Sequence, residues 1–453
     1  MLPKHLSLSA SSADPAIAAE SMHRQRTRNL GILQLLTASK SLLLLELVIL
    51  GFFVAGPLII FMVLEDEAYL GLALLATLSV ISIHMGSELK FLDRQLVRGR
   101  KFHISSTKYI SAFFAIFCLF GLLTLTTAPA IPFLSAVAGA DVTTLSFQRG
   151  QFLKGREGLW SALAYISAML TSVFVPYCLV LAYATKHRLR HAFLIISLIY
   201  CISFLVKALF LHLMLPLIAF LVEQGKVKLR HLVVLLTGIT GALVFLISLS
   251  GFGSLNSSGF TSLKEYLSAS YVPSSSLDFF IYRTFAIPVF SVVDTFTVHE
   301  AQLGGTYLLG KTSSFIATLA GGEKVNLERM VAAYQYGGWN EFANSNVIFI
   351  ADSFVNFGVL GVIFYGLVIG LTFRIFRRSR DPAVRSLSVL YAFMLYSSPL
   401  LGMLLGNGYI LLFGQALLVQ MKSNSGGLGP IHHSRSMQPF AARMQPSGRF
   451  QVP

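Results

Sequence analysis

Charge is scarce in this sequence. Of its 453 residues only 12% are Asp, Glu, Lys or Arg, while 55% are hydrophobic and the mean hydropathy is +0.70. Soluble domains carry about 25% charged residues, so a soluble globular class is excluded and a polytopic membrane protein is expected. Cysteine is scarce as well. Cys118, Cys178 and Cys201 each sit inside an apolar run without C-x-x-C spacing, which excludes a disulfide framework and a thiolate metal site. There is no D-x-D and no His/Cys cluster, so neither a metal nor another cofactor is expected. No internal repeat is visible, and no apolar run precedes an early cleavage site. Residues 1–40, polar and basic, therefore read as a cytoplasmic tail and not as a cleaved signal.

The charge that is present is clustered. A net +15 would suggest nucleic acid in a soluble chain, but here most of the cations fall in short loops between apolar segments, so no nucleic-acid partner is expected. The first two spans, about 42–64 and 68–88, meet at the acidic corner Glu65-Asp66-Glu67. Lys90, Arg94, Arg98, Arg100, Lys101 and Lys108 follow in one loop, which the positive-inside rule makes cytoplasmic. Spans at about 109–133 and 159–184 come next, enclosing an external loop with Arg149, Lys154 and Arg156. The apolar stretch 192–222 is basic at both ends, so it is expected to cross twice, with Lys207 near the outer turn. A single tilted span plus an interfacial helix is the alternative, and it would invert everything downstream.

After a seventh span at about 232–250, residues 251–344 form a large external loop. Its five basic residues against seven acidic ones lack the inner bias, and segments such as LDFFIYRTFAIPVFSVVDTF suit helices on the membrane or over a cavity. An eighth span then descends to Arg374, Arg377, Arg378, Arg380 and Arg385, and a hairpin over about 387–421 leads to a polar tail. The expected fold is all-α. It has a tail at 1–40, helices 1–7 over 41–250, a periplasmic loop at 251–344, helices 8–10 over 345–421 and a tail at 422–453, with both tails cytoplasmic and disordered.

The eighth span carries polar residues. At helical spacing Ser345, Asp352 and Asn356 share one face, with Asn346 and Ser353 beside them. An aspartate within a span costs about 2.5–3.5 kcal/mol, so this stripe should face protein or water. A buried seam gluing helices together explains it as readily as a site does. Farther along, Gly366 and Gly370 form a G-x-x-x-G that lets another helix approach. Among the external cations Arg149, Arg156, Lys207 and Arg283 adjoin the mouth of the bundle or apolar segments, where a guanidinium fork can grip phosphate oxygens. Lys154, Lys311 and Lys324 read instead as partners of lipid phosphates or of the loop's own carboxylates.

The string FANSNVIFIADSFVNFGVLGVIFYG resembles the helix signature of bacterial O-antigen and oligosaccharide repeat-unit polymerases of the Wzy type, A-N-x-N-x-x-F-[IL]-x-[DE]-x-[YF]-x-N-F-G-x-x-G. GGTYLLG (304–310) and RTFAIP (283–288) are similar to segments of that family's loop, and the likeness is best over roughly 280–370. The paired R-x10-G pattern of some members is missing: eleven residues beyond Arg149, Arg156 and Arg283 stand Trp160, Ser167 and Asp294.

The resemblance implies a metal-independent glycosyltransferase of the bacterial inner membrane. It would move a growing glycan from undecaprenyl pyrophosphate to the next lipid-linked unit, with the bilayer and a chain-length-regulating membrane protein as further partners. Arg149, Arg156, Lys207 and Arg283 are the candidates for the leaving pyrophosphate. Asp352, His299 and Glu300 are the candidates for handling the acceptor proton, and Asn344, Asn346 and Asn356 for binding glycan. A glycan ligase shares the donor and the large loop, whereas a flippase would more naturally show repeated halves. A membrane acyltransferase would need His84 or His212 in a polar setting, and neither lies in such a motif.

Overall fold

The computed structural model describes residues 34–90, 93, 96, 101–153, 155–249, 266–269, 271, 273, 275–338 and 343–422. The two expected tails, apart from 34–40 and Lys422, and the loop residues 250–265 lie outside the described residues. The fold is almost wholly helical. Among the described residues five helices are long and apolar enough to cross a membrane: α1 (Ser41–Leu64), α2 (Glu67–Glu88), α3 (Ser106–Thr126), α5 (Ala162–Ala184) and α12 (Phe349–Arg378). Between them run α4 (Val142–Gln151), α6 (Arg190–Ser203), α7 (Lys207–Glu223), α8 (Leu229–Leu249), α9 (Ser276–Phe285), α10 (Ile287–Leu303) and α11 (Leu327–Tyr336). Then come α13 (Pro382–Leu395) and α14 (Tyr409–Leu418). The chain is thus a multi-pass membrane protein.

These five helices coincide with expected spans one to four and eight. The other five expected spans fall on α6, α7, α8, α13 and α14, whose apolar portions are 10–17 residues long. At 1.5 Å per residue α6, α7, α13 and α14 rise about 15–26 Å, short of a hydrocarbon core of about 30 Å, whereas the 21 residues of α8 rise about 31 Å. The α9–α10 pair adds a sixth candidate crossing, bent by 52°. This apolar pair lies within the segment expected to be a large loop.

Local chemistry explains the turns. Glu65 adopts a left-handed conformation that ends α1, and Asp66 caps α2 by accepting the Ala68 amide at 3.0 Å, so the acidic corner is a helix–turn–helix joint. One feature departs from the all-α expectation. Phe102–Ser105 (β1) pairs in parallel with Val419–Lys422 (β2), Phe102 opposite Val419, tying the segment before α3 to the end of α14.

The principal helix pairing is α12 against α2, and it is built on small residues. A Cβ on Gly370 would run into the Ile83 carbonyl oxygen, one on Gly86 into the Leu367 carbonyl, and one on Gly366 would lie 2.6 Å from Ser82 Cβ. The G-x-x-x-G therefore does what its spacing implies. Gly370→Val is expected to force the helices apart and cost at least about 1–3 kcal/mol. Thermal unfolding of the detergent-purified variant checks this, and an unchanged midpoint would count against the close approach.

Candidate functional site

The signature helix does not begin where its pattern suggests. Residues 343–348 form no regular element, and Ser345 is held from outside: its amide donates to the Glu328 carbonyl at 2.9 Å and its hydroxyl to Gln335 Oε1 at 2.6 Å. Gln335 in turn donates to Asp294 Oδ2 at 2.6 Å. Ser345 and Asn346 accordingly leave the stripe that helical spacing assigned them, and α12 starts only at Phe349. Asn346 lines one cavity and Val347 another.

A second irregularity shapes the site. Gly358 takes φ 62° and ψ −153° inside α12, a conformation suited to glycine, and breaks the helical hydrogen bonding. The carbonyls of Val355 and Asn356 then accept the amides of Leu308 and Leu309 at 3.1 and 3.0 Å, and Asn356 Oδ1 accepts that of Gly310 at 2.8 Å. The GGTYLLG loop is therefore docked on the kinked helix. Asn356 Nδ2 donates to Thr312 Oγ1 at 2.9 Å, to the Asp352 carbonyl at 2.8 Å and to Asp352 Oδ1 at 3.0 Å. Its polar atoms are spent on protein, and what it does is orient Asp352.

Asp352 is 1% exposed and lines a cavity of about 450 Å³ together with Tyr165, Thr312, Lys324, Asn326 and Glu328. Its Oδ1 accepts from Thr312 at 2.8 Å and from Asn356, while its Oδ2 has no hydrogen-bond partner among the described residues. An unmatched buried acceptor costs about 1–3 kcal/mol, more when charged. The volume lies in the range of about 300–1,000 Å³ typical of small-molecule sites. A larger hollow of about 780 Å³ at the α1–α2 turn offers only Glu65 and Glu67 as charged lining groups and no oriented constellation.

Arg283 lies elsewhere. It is exposed, donates to Tyr336 Oη at 3.1 Å, and lines a second cavity of about 220 Å³ with Asn346 and the apolar Leu211, Leu243 and Phe280. Lys207 is the first residue of α7, next to Ala208 of this cavity; its side chain is outside the described residues. Segment 343–348 thus contributes to two sites, one acidic and hydroxyl-lined, the other apolar with a guanidinium.

The remaining candidates are not gathered with these. His299 is buried and donates through Nε2 to the Thr306 carbonyl at 3.0 Å, closing the turn after α10, while Glu300 is on the surface. Arg156 donates to the carbonyls of Phe152 and Thr124 at 2.8 and 2.9 Å and to Thr127 Oγ1 at 2.6 Å, binding the end of α3 to the following loop. Arg149 is half-buried on α4, and Asn344 is exposed within segment 343–348. Among the described residues no group of three or more His, Cys, Asp or Glu is assembled. Sequence reasoning did not single out Thr312, Asn326 or Glu328. The only signal for them was Glu328 in the loop's charge inventory, because no periodicity links residues 312–328 to the head of α12. Comparison with protein-family models, curated proteins and solved structures gives no match for this chain.

Proposed function

We propose that this protein polymerises lipid-linked oligosaccharide repeat units, as the resemblance of its α12 signature implies. The observation that carries the reading is the buried Asp352, with its Oδ2 unmatched, among the residues lining a cavity that also offers hydroxyl, amide and aromatic groups, which is the inventory that sugar hydroxyls need. Asp352 accepts the proton of the attacking acceptor hydroxyl as its oxygen bonds to the anomeric carbon of the donor glycan. The anomeric carbon–oxygen bond breaks and the pyrophosphate leaves with the electron pair; Arg283 in the separate cavity beyond Asn346, and Lys207 next to Ala208 of that cavity, are the cations to neutralise the growing charge. The apolar lining around Arg283 suits a polyprenyl carrier reaching that cavity from the bilayer.

The corresponding topology has ten crossings in a bacterial inner membrane, both termini in the cytoplasm and residues 251–344 on the periplasmic side, where the donor is presented. The short helices α6, α7, α13 and α14 then cross as thin or paired elements in the bundle. The test is the gel-resolved length distribution of surface glycan in a strain lacking the gene, complemented with wild type or Arg283→Ala. The deletion is expected to stop glycans at one repeat unit, and Arg283→Ala to abolish long chains at normal membrane abundance. An unchanged ladder in the deletion would overturn the reading. Loss of even the single-unit product would move it to transport or ligation.

A further inference from the structure

The polar groups around the Arg283 cavity divide into those already engaged and those left open. Thr284 Oγ1 donates to the Phe280 carbonyl at 2.6 Å, and Tyr396 Oη donates to the Thr284 carbonyl at 2.8 Å. Ser397 Oγ points at the Met394 carbonyl, 3.5 Å away. Two lining residues differ from these. Arg283 makes one hydrogen bond among the described residues, from Nη1 to Tyr336 Oη, and keeps the rest of its fork of donors. Asn346 is half-buried on the wall, and no described residue hydrogen-bonds its side chain. Its amide atoms stay open to solvent, so an incoming group can meet them. Its backbone is nonetheless fixed, because Ser345 just before it is pinned by Gln335 and the Glu328 carbonyl. The charge here is one-sided as well. Arg283 is the only charged residue among the described residues lining the cavity, and no carboxylate there offsets it.

We infer that Asn346 is a ligand of a diphosphate headgroup, donating its amide beside Arg283, and not a residue that binds glycan. The inference rests on reading this cavity as the place of the leaving pyrophosphate, and it adds the second donor of that site. The guanidinium makes charge-assisted bonds to phosphate oxygens, and the neutral amide contributes another donor from a different segment of the chain. The two roles for Asn346 differ in what they tolerate. An amide that serves sugar hydroxyls can be exchanged for a carboxylate, which accepts from them as well. Beside a diphosphate the same exchange sets like charges against each other.

The experiment measures binding, not turnover. Full-length protein in phosphatidylcholine nanodiscs is titrated with farnesyl diphosphate at neutral pH, with empty nanodiscs as the blank. Variants are compared as monodisperse gel-filtration peaks. Wild type is expected to bind above the blank, Arg283→Ala at least about tenfold more weakly, and Asn346→Ala about three- to tenfold more weakly. Asn346→Asp is expected to bind more weakly than Asn346→Ala, since repulsion is added to the lost bond. Wild-type binding no stronger than the blank would overturn the inference without any variant. So would binding abolished by phosphatidylglycerol in the nanodisc, which would assign the site to ordinary lipid phosphate. Unchanged affinity in Arg283→Ala would remove the headgroup reading of the cavity itself. A weakened Arg283→Ala with Asn346→Asp at wild-type affinity would leave that reading standing and remove Asn346 from it. The glycan ladder of the deletion strain judges polymerisation separately.

Discussion

Replacing Asp352 with asparagine is expected to lower chain elongation by about 10²–10⁴-fold, the usual contribution of a positioned acid or base, with protein abundance in the membrane unchanged. The substitution conserves shape. The asparagine carbonyl still accepts from Thr312 and Asn356, the two bonds that hold Asp352 Oδ1 in place. What disappears is the second carboxylate oxygen, which no described group satisfies. An amide there cannot take a proton from an acceptor hydroxyl. The variant therefore separates two roles that burial alone leaves mixed. A protein with normal abundance and few or no long glycans supports acid/base work, while full elongation in Asp352→Asn would assign the residue to helix packing.

The second large effect is on stability, at the opposite end of the same helix. Arg374 is 2% exposed, and its guanidinium grips Asp93 through Nε to Oδ1 and Nη2 to Oδ2, both at 2.6 Å. Nη1 also donates to the Ser87 carbonyl at 2.8 Å, one of the unpaired carbonyls at the end of α2. The bidentate pair thus fastens α12 to the end of α2 just beyond the glycine-lined contact. Arg374→Ala leaves Asp93 only the longer Arg378 contact at 3.8 Å and the Ser87 carbonyl only the Arg377 bond at 3.2 Å, and is expected to cost about 3 kcal/mol, the lower end of the range for breaking a buried pair, because Asp93 is partly exposed. Arg374→Lys should recover only part of this, since an ammonium cannot make the fork.

Arg374's hydrogen bonds hold the Asp93 carboxyl below its ordinary range. Its contribution to stability is therefore fully present above the unfolded value of about 3.9 and is lost as pH falls through the lower folded value. Between pH 8 and 5 this pair should give no pH dependence. Fluorescence-detected gel filtration after heating reads both expectations. A melting midpoint of Arg374→Ala equal to that of wild type would remove the pair from what holds the two helices together.

Much of this architecture was legible because hydropathy adds up along the chain. Apolar runs located α1, α2, α3, α5 and α12, and the Gly366–Gly370 spacing announced a close helix contact before any partner was known. The same reasoning placed Asp352 on protein or cavity instead of lipid, since an aspartate within a span is too costly to expose there. Local pattern failed where a side chain's partner comes from far along the chain. Ser345 looked helical until Gln335 and Glu328 held its segment outside the helix, and Asn356 looked available for sugar until the 308–310 loop docked on it. Arg156, read as a phosphate ligand, turned out to bind the end of α3. By itself the sequence determined the membrane class, the main helices and the burial of one aspartate away from lipid. Only the tertiary structure decided that Asp352 and Arg283 line different cavities, and that Glu328 joins the first. That division depends on hydrogen bonds between segments tens of residues apart, which neither composition nor periodicity records.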